Sequence, residues 1–447
     1  MIPMIDMAKL FAMRGCKSTL IATSHDEPTF LKSIAKSQDS GFDINVVTVT
    51  LPLKDVGLPE DCDNQSKATT VEMFEQFLTA VMMLDKQLKL LIEKLAPDCL
   101  ISDMFLPWTA EIAVQCGIPR LVFHGTSAFS LAGSECVRLY EPHKKVLCDS
   151  EPFVIPNFPG EITLSRMQLP DRVREENKSI EFFTKVRESE KRSFGVVMNS
   201  FYKLEPAYAE HYSTFLGRRS WFIGPLSLCN KETEDKAHRG NQASIDQRDC
   251  LNWLDSKQPN SVIYICFGSM ANFNAAQLHE IAVGLEASGQ QFIWVVKKDP
   301  SVEEGKEEWL PDGYESRMRN KGLIIRGWAP QVLILDHEAV GGFVTHCGWN
   351  SILEAVTAGV PLVTWPIAAE QFYNEKLVTQ VLKIGIDIGV KRWVRLFGDS
   401  VKSERVEEAV KRVLVGEEAE EMRRGTKALA EMARGAVEEG KDALSLL

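Results

Sequence analysis

Residues 328–371 read WAPQVLILDHEAVGGFVTHCGWNSILEAVTAGVPLVTWPIAAEQ, and this segment best predicts the fold of the second half of the chain. Two apolar runs, at 341–345 and 361–365, have the length of strands, and each ends in polar residues before a helical pattern follows. Open α/β sheets present their ligand-binding groups at the carboxyl ends of such strands. We therefore expect ligand contacts to cluster within this stretch.

The turn at 346–351, HCGWNS, has the composition of an anion site at a helix start. Asn350 and Ser351 are residue types that cap helices, and a helical pattern follows them. Unpaired N–H groups and the helix dipole favour an anion there, and His346 adds a further side-chain donor. The turn therefore predicts a diphosphate-binding site.

Two side chains predict a nucleoside beside that diphosphate. Glu354 follows Asn350 by four residues and Ser351 by three, so its carboxylate lies on the same helix face and can accept hydrogen bonds from ribose hydroxyls. Trp328 offers a flat surface on which a base can stack. The simpler alternatives are a core role for Trp328, a buried structural role for His346 and a solvated helix position for Glu354.

A resemblance follows from this stretch and three others: PDCLISDMFLPW at 97–108, LVFHGTS at 121–127 and CFGS at 266–269. Over nearly its whole length the chain resembles the plant secondary-metabolite UDP-glycosyltransferases, the family 1 enzymes with a GT-B fold. That resemblance implies an α/β protein with two Rossmann-like, doubly wound domains that face a cleft. It also implies UDP-glucose as the sugar donor and no cofactor or metal.

The resemblance also assigns roles to residues. It implies that uracil lies on Trp328, that the backbone of Ala329 contacts the base, and that Gln331 lies near the base and ribose. Glu354 would bind the ribose hydroxyls. The resemblance implies that the diphosphate is bound by Ser269, His346, Asn350 and Ser351. It implies that the hexose hydroxyls are faced by Trp349, Glu370 and Gln371. Gln371 at the end of the stretch favours glucose over galactose.

Catalysis by this family uses a histidine oriented by an aspartate, and Asp103 matches the aspartate. The matching histidine belongs to a loop after the family's first strand, and the chain begins at the helix that follows this loop, so we expect both strand and histidine to be missing. The neighbouring strands would then have unpaired edges. His25 is a candidate replacement base, although a surface position in a turn is the simpler interpretation. His124 and Thr126 are expected on the acceptor side.

The domain organisation can be predicted from alternating strand and helix patterns. Strands are expected at 18–24, 44–50, 98–103, 119–124 and 195–200, then at 261–267, 291–297, 323–326, 341–345 and 361–365. A long helical pattern at 69–95 should flank the acceptor pocket. The domains that we expect are an acceptor-binding domain at 1–228, a linker at 229–247, a UDP-sugar-binding domain at 248–430 and a shortened helical segment at 431–447.

Composition and charge limit the binding partners and the cellular compartment that we expect for this protein. The net charge of −11 without a dense basic patch argues against nucleic acid. No apolar run reaches membrane-spanning length, and the start lacks the pattern of a signal peptide. Ten scattered cysteines suit a reducing compartment, and adjacent His346 and Cys347 find no second ligand pair for zinc. We expect a cytoplasmic monomer without integral membrane association, whose partners are a UDP-sugar and a small-molecule acceptor.

The sequence thus predicts an inverting O-glucosyltransferase that uses UDP-glucose and acts on a flavonoid, another phenolic or a triterpenoid. The missing histidine places the activity of this chain in doubt, so the alternative is a UDP-sugar-binding protein without catalysis, or an inactive truncated form. A nicotinamide oxidoreductase and a serine hydrolase are disfavoured because the chain lacks Gly-x-Gly-x-x-Gly and Gly-x-Ser-x-Gly.

Overall fold

The computed structural model describes residues 2–63, 70–175, 179–269, 271, 273–298, 307–394 and 399–439. The helices are α1 Ile2–Ala12, α2 Glu27–Asp39, α3 Val71–Met82, α4 Asp85–Leu95, α5 Thr109–Gln115, α6 Ala128–Tyr140, α7 Asp171–Arg174, α8 Ser179–Lys191, α9 Pro206–Glu210, α10 Thr233–Ala237, α11 Gln247–Asp255, α12 Ala275–Ser288, α13 Tyr314–Met318, α14 Gln331–Leu335, α15 Trp349–Ala358, α16 Gln371–Lys376, α17 Ser403–Leu414 and α18 Glu417–Glu439.

The strands of the two halves alternate with these helices. They are β1 Ser18–Thr23, β2 Ile44–Val49, β3 Leu100–Asp103, β4 Arg120–His124, β5 Pro152–Val154, β6 Thr163–Ser165, β7 Gly195–Met198, β8 Ser220–Phe222, β9 Val262–Cys266, β10 Gln291–Val296, β11 Gly322–Arg326, β12 Val340–Thr345, β13 Leu362–Thr364 and β14 Gly385–Asp387.

The C-terminal half is one parallel sheet in the order β11-β10-β9-β12-β13-β14. All six residues of β12 are buried, because strands β9 and β13 flank it and helices cover the sheet. Gly341 is required there: a Cβ would lie 2.3 Å from the backbone oxygen of Asn260. This doubly wound arrangement confirms the predicted fold of this half.

The N-terminal half contains two separate parallel sheets, β1-β2 and β3-β4-β7-β8, and an antiparallel hairpin of β5 and β6. Each of its five predicted strands is present. Among the described residues β1 pairs with β2 alone and β3 pairs with β4 alone. This interruption agrees with the expectation that strands in this half have unpaired edges.

The predicted domain borders can be compared with the positions of the helices and turns. After β8 the chain passes through a 3-10 turn at Leu226–Cys229, and the expected linker contains α10 before Asp246 caps α11 by accepting from the Arg248 backbone N–H at 2.8 Å. The expected border at 430/431 lies inside the continuous helix α18, which contacts residues 202–204 of the N-terminal half. Residues 440–447 lie outside the described residues.

The long helical pattern at 69–95 forms two helices, α3 and α4, and only its first residue, 69, lies outside the described residues. The break falls at Met83 and Leu84, between two amphipathic segments. Within the described residues no helix is both long and apolar enough to cross a membrane.

Candidate functional site

The turn between β12 and α15 lies at the carboxyl edge of the C-terminal sheet, beside the ends of β9 and β13. Gly348 is the N-cap of α15, so the expectation that Asn350 or Ser351 caps the helix is wrong; both lie in its first turn. The first intrahelical bond runs from Ile352 N to Gly348 O, which leaves the N–H groups of residues 349–351 without an intrahelical acceptor. The helix therefore presents open donors at this edge.

His346 lies in a close cradle of backbone. A Cβ on Gly268, whose φ is +71°, would lie 2.8 Å from the imidazole, and a Cβ on Gly348 would lie 2.5 Å from it. Burial lowers the pKa of His346 to about 4, so the ring is neutral near pH 7. Its Nδ1 atom has no hydrogen-bond partner among the described residues, and the exposed Ser269 follows directly after the cradle.

Glu354 lies one turn further along α15 and faces the start of α14. Gln331 donates to its Oε2 atom at 2.7 Å and to the Ser351 hydroxyl at 3.2 Å. Trp328 and Ala329 precede α14 and are separated from it by its N-cap, Pro330. The structure therefore brings the four residues predicted for the nucleoside and ribose close to Ser351 of the predicted diphosphate set.

Two of the three predicted hexose residues, Glu370 and Gln371, lie at the start of α16. Gln371 accepts from the backbone N–H groups of Ile367 and Ala368, both at 2.8 Å, which directs its amide nitrogen away from that turn. Burial raises the pKa of Glu370, while Asn374, Arg172 and Thr126 act in the opposite direction. Thr126 therefore lies beside Glu370, at the meeting of the two halves.

Trp349 has a different environment from the other predicted residues. Its side chain is buried, and its indole N–H donates to the backbone oxygen of Asn199 at 2.6 Å. The Asn199 side chain in turn donates to Asn350 Oδ1 at 3.0 Å, so the amide nitrogen of Asn350 faces elsewhere. The indole N–H of Trp349 is thus engaged by the N-terminal half.

The predicted catalytic and acceptor residues at the ends of β3 and β4 make separate hydrogen bonds. Asp103 ends β3 and accepts from the Phe105 backbone N–H at 2.9 Å, and the described residues place no imidazole in hydrogen bond with it. His124 is buried and shares Glu190 with Tyr212 and Arg218. His25 pairs with Asp63 at 3.2 Å.

Three residues at the site were missed by sequence reasoning. Arg239 contacts Glu354, Asn199 contacts Asn350, and Arg172 lies over the Phe183 ring at 4.0 Å and near Glu370. Arg239 belongs to a charged linker, where charges usually indicate solvent exposure, and no spacing connects it with Glu354. Among the described residues no group of three His, Cys, Asp or Glu side chains could hold a metal ion.

Known proteins are similar to this chain in sequence and in fold. Residues 6–423 match the family "UDP-glucoronosyl and UDP-glucosyl transferase". The chain is 55% identical over 442 residues to a scopoletin glucosyltransferase of Nicotiana tabacum, covering 98% of this chain and 92% of the relative. It is 50% identical over 451 residues to an anthocyanin 3'-O-beta-glucosyltransferase of Gentiana triflora, covering 99% and 93%.

Solved structures agree with these relatives. A Glycyrrhiza uralensis UGT complexed with glycyrrhetinic acid 3-O-monoglucuronide matches with a TM-score of 0.90 and 40% identity, covering 98% of this chain and 89% of that one. Phytolacca americana UGT2, complexed with UDP-2fluoro-glucose and pterostilbene, matches with a TM-score of 0.74 and 27% identity, covering 97% and 91%. The predicted GT-B fold is confirmed, and this chain belongs to the family of UDP-glucuronosyl and UDP-glucosyl transferases.

Proposed function

We propose that the chain is an inverting, UDP-glucose-dependent O-glucosyltransferase that acts on a flavonoid, another phenolic or a triterpenoid. The observation that supports this most is the open start of α15 beside the Glu354–Gln331 pair, which suits a nucleoside diphosphate. The relatives named for scopoletin and anthocyanin support a phenolic acceptor. The Glycyrrhiza complex supports a triterpenoid.

The donor site suits the departure of UDP. When the bond from the anomeric carbon to the phosphate oxygen breaks, negative charge develops on the diphosphate. The open N–H groups at 349–351 and the neutral imidazole of His346 can donate hydrogen bonds to that charge. Each well-placed donor of this kind contributes on the order of a few kcal/mol to the transition state.

The acceptor side must supply the other half of the reaction. The acceptor oxygen forms a bond to the anomeric carbon on the face opposite the phosphate, so the configuration inverts, and the hydroxyl proton passes to a base. Asp103, at the end of β3, is the residue that we assign to orient this base. Because the described residues place no imidazole in hydrogen bond with it, a second function, UDP-sugar binding without transfer, stays a candidate.

One experiment separates these functions. The chain is incubated with UDP-glucose and a panel of flavonoid, coumarin and triterpenoid acceptors, and mass spectrometry detects products heavier by one hexose. UDP binding is titrated in parallel by calorimetry. Product formation supports the transferase, and UDP binding without product supports the binding protein. A folded chain that does neither contradicts both proposals.

A pair of variants locates the site within this experiment. Glu354→Gln removes the charge that we assign to the ribose and should weaken UDP binding by 10-fold or more, roughly the 1.5–3 kcal/mol of charged hydrogen bonds. Glu431→Gln changes an exposed carboxylate on α18 and should leave binding unchanged. Equal affinities in both variants would remove Glu354 from the site. If the wild type forms product, His25→Ala then tests the replacement base.

We further propose a cytoplasmic monomer. None of the ten cysteines forms a disulfide within the described part of the chain, which supports a reducing compartment. Residues of both halves of one chain meet at the site, as at Asn199 and Asn350, which supports activity without a second copy. Light scattering during size-exclusion chromatography tests the oligomeric state.

A further inference from the structure

A buried arginine in the linker reaches the predicted ribose carboxylate. Arg239 follows α10, and its side chain is 9% exposed. Its Nε atom donates to Asp6 Oδ2 at 2.8 Å, and its Nη1 atom donates to Glu354 Oε1. Burial opposes the charged guanidinium, but Asp6 and Glu354 raise its pKa, so the cation persists between two carboxylates.

Arg239 and Gln331 hold Glu354 from two sides. Gln331 donates to Oε2 at 2.7 Å while Arg239 donates to Oε1, so each oxygen of the carboxylate has one protein donor. A carboxylate has about four acceptor sites, so roughly two stay open for other donors. Since both oxygens are fixed, the open acceptor sites have fixed directions, as recognition of two neighbouring hydroxyls requires.

The linker around Arg239 packs on the predicted base-binding tryptophan. A Cβ on Gly240, whose φ is +95°, would lie 2.5 Å from the Trp328 ring. Ser244 donates its backbone N–H to the Trp328 oxygen at 2.8 Å and accepts from the Trp328 N–H at 3.0 Å. These contacts fix the position from which Arg239 approaches Glu354.

The other end of the guanidinium is anchored in the N-terminal half. Asp6 lies on α1, is 1% exposed, and accepts from Asn230 Nδ2 at 2.8 Å as well as from Arg239. Lys9 donates to Asn230 at 3.0 Å and supports that arrangement. A contiguous polar chain therefore runs from α1 through the linker to the donor site.

We propose that Arg239 is a positioning residue of the donor site, which orients Glu354 toward the ribose hydroxyls of the UDP-sugar and takes its own orientation from Asp6. The proposal rests on the proposed function, because it requires that Glu354 binds ribose. It differs from a purely structural role, in which Arg239 would only hold the linker against the two halves.

The two roles are separated by ligands that differ only in the ribose. Calorimetry measures the affinity of wild type and Arg239→Met for UDP and for 2',3'-dideoxy-UDP. We expect Arg239→Met to lose at least 10-fold in affinity for UDP and less than about 3-fold for the dideoxy ligand, since only the first uses the oriented carboxylate. Equal losses for both ligands, or no loss for either, would overturn the proposal.

Controls keep the test decisive. Arg423→Met removes another buried arginine, which donates to the Leu414 oxygen and to Glu420 on α18, and should leave the preference for UDP over the dideoxy ligand unchanged. If Arg239→Met does not fold, Asp6→Asn loosens the guanidinium and should reduce the same preference; an unchanged preference would overturn the proposal. A wild type that fails to bind UDP contradicts the proposed function instead.

Discussion

His346 combines a polar role with an environment that keeps it uncharged. The backbone of Gly268 and Gly348 surrounds the ring closely, and burial lowers its pKa to about 4. At neutral pH the residue can thus donate a hydrogen bond to a diphosphate without adding charge. The positive potential at this site comes from the start of α15.

The neutral imidazole predicts a pH dependence of stability. In the unfolded chain His346 has a pKa near 6.5 and takes up a proton between pH 7 and pH 5, whereas the folded residue stays neutral. The contribution of His346 to the free energy of unfolding therefore falls by about 2 kcal/mol from pH 7 to pH 5. We expect His346→Gln to lose less stability than wild type between these two pH values. Scanning calorimetry at pH 7 and pH 5 measures the difference; equal losses would contradict it.

The close packing around the His346 ring predicts that a larger residue at position 348 weakens UDP binding. A Cβ at Gly348 would lie 2.5 Å from His346 Nε2, so Gly348→Ala must displace the ring and should weaken UDP binding by 10-fold or more. Gly435→Ala is the matched control, since no atom lies within 4 Å of its Cβ on α18; it should stabilise the helix by about 0.5–1 kcal/mol and leave binding unchanged. Unchanged UDP affinity in Gly348→Ala would show that the ring is not used.

At the site, the proximity of residues could be predicted from the sequence where they share one turn or one helix face. Glu354 and Ser351 lie on a helix whose periodicity is visible, so their proximity could be predicted. Arg239 and Asn199 could not be predicted, because they reach the site through tertiary packing across 115 and 151 residues. Trp349 was expected at the hexose from resemblance, but its indole N–H bonds across the two halves.

Strand pairing differs between the two halves of the molecule. Within the described residues β1 and β3 each have one partner strand, whereas β12 lies between β9 and β13. An edge strand presents backbone N–H and C=O groups that no neighbouring strand satisfies. The interrupted sheet is therefore the element at which we expect local opening.

Hydrogen exchange tests that expectation. Amides of β1 should exchange at least 10-fold faster than those of β12, because β1 has an open edge and four of its six residues are only partly buried. The edge strand β11 of the C-terminal sheet is an internal comparison and should be intermediate, since its single partner belongs to a six-stranded sheet. Protection of β1 equal to that of β12 would exclude an exposed edge.

The elements that sequence reasoning found have clear physical signals. Buried parallel strands such as β9 and β12 are continuous apolar runs, which can be recognised in the sequence. All ten predicted strands are present in the structure. The missed strands β5, β6, β8 and β14 have three residues each, too few to show a period. The break between α3 and α4 contains neither Gly nor Pro, so the sequence did not predict that the helical pattern at 69–95 is interrupted there.

Asn199 connects the two halves of the protein at the donor site. It follows β7, and its backbone oxygen accepts from Trp349 Nε1 at 2.6 Å. Its side chain donates to Asn350 at 3.0 Å and accepts from the Leu226 backbone N–H at 3.0 Å. The first turn of α15 is thus held by the N-terminal half as well as by its own sheet.

This connection predicts that one substitution in the N-terminal half alters donor binding. Asn199→Ala keeps the backbone bond to Trp349 but removes both side-chain bonds, which leaves a buried N–H of Leu226 unpaired and should cost about 1–3 kcal/mol of stability. Asn350 loses its orientation, so UDP affinity should fall about 3- to 10-fold.

Asn45→Ala, which removes an exposed bond to Asp43 remote from α15, is the control and should change neither the stability nor the UDP affinity. Calorimetric titration with UDP and thermal unfolding measure both. A destabilised Asn199→Ala that binds UDP as tightly as wild type would show that the halves are joined there without influence on the donor site.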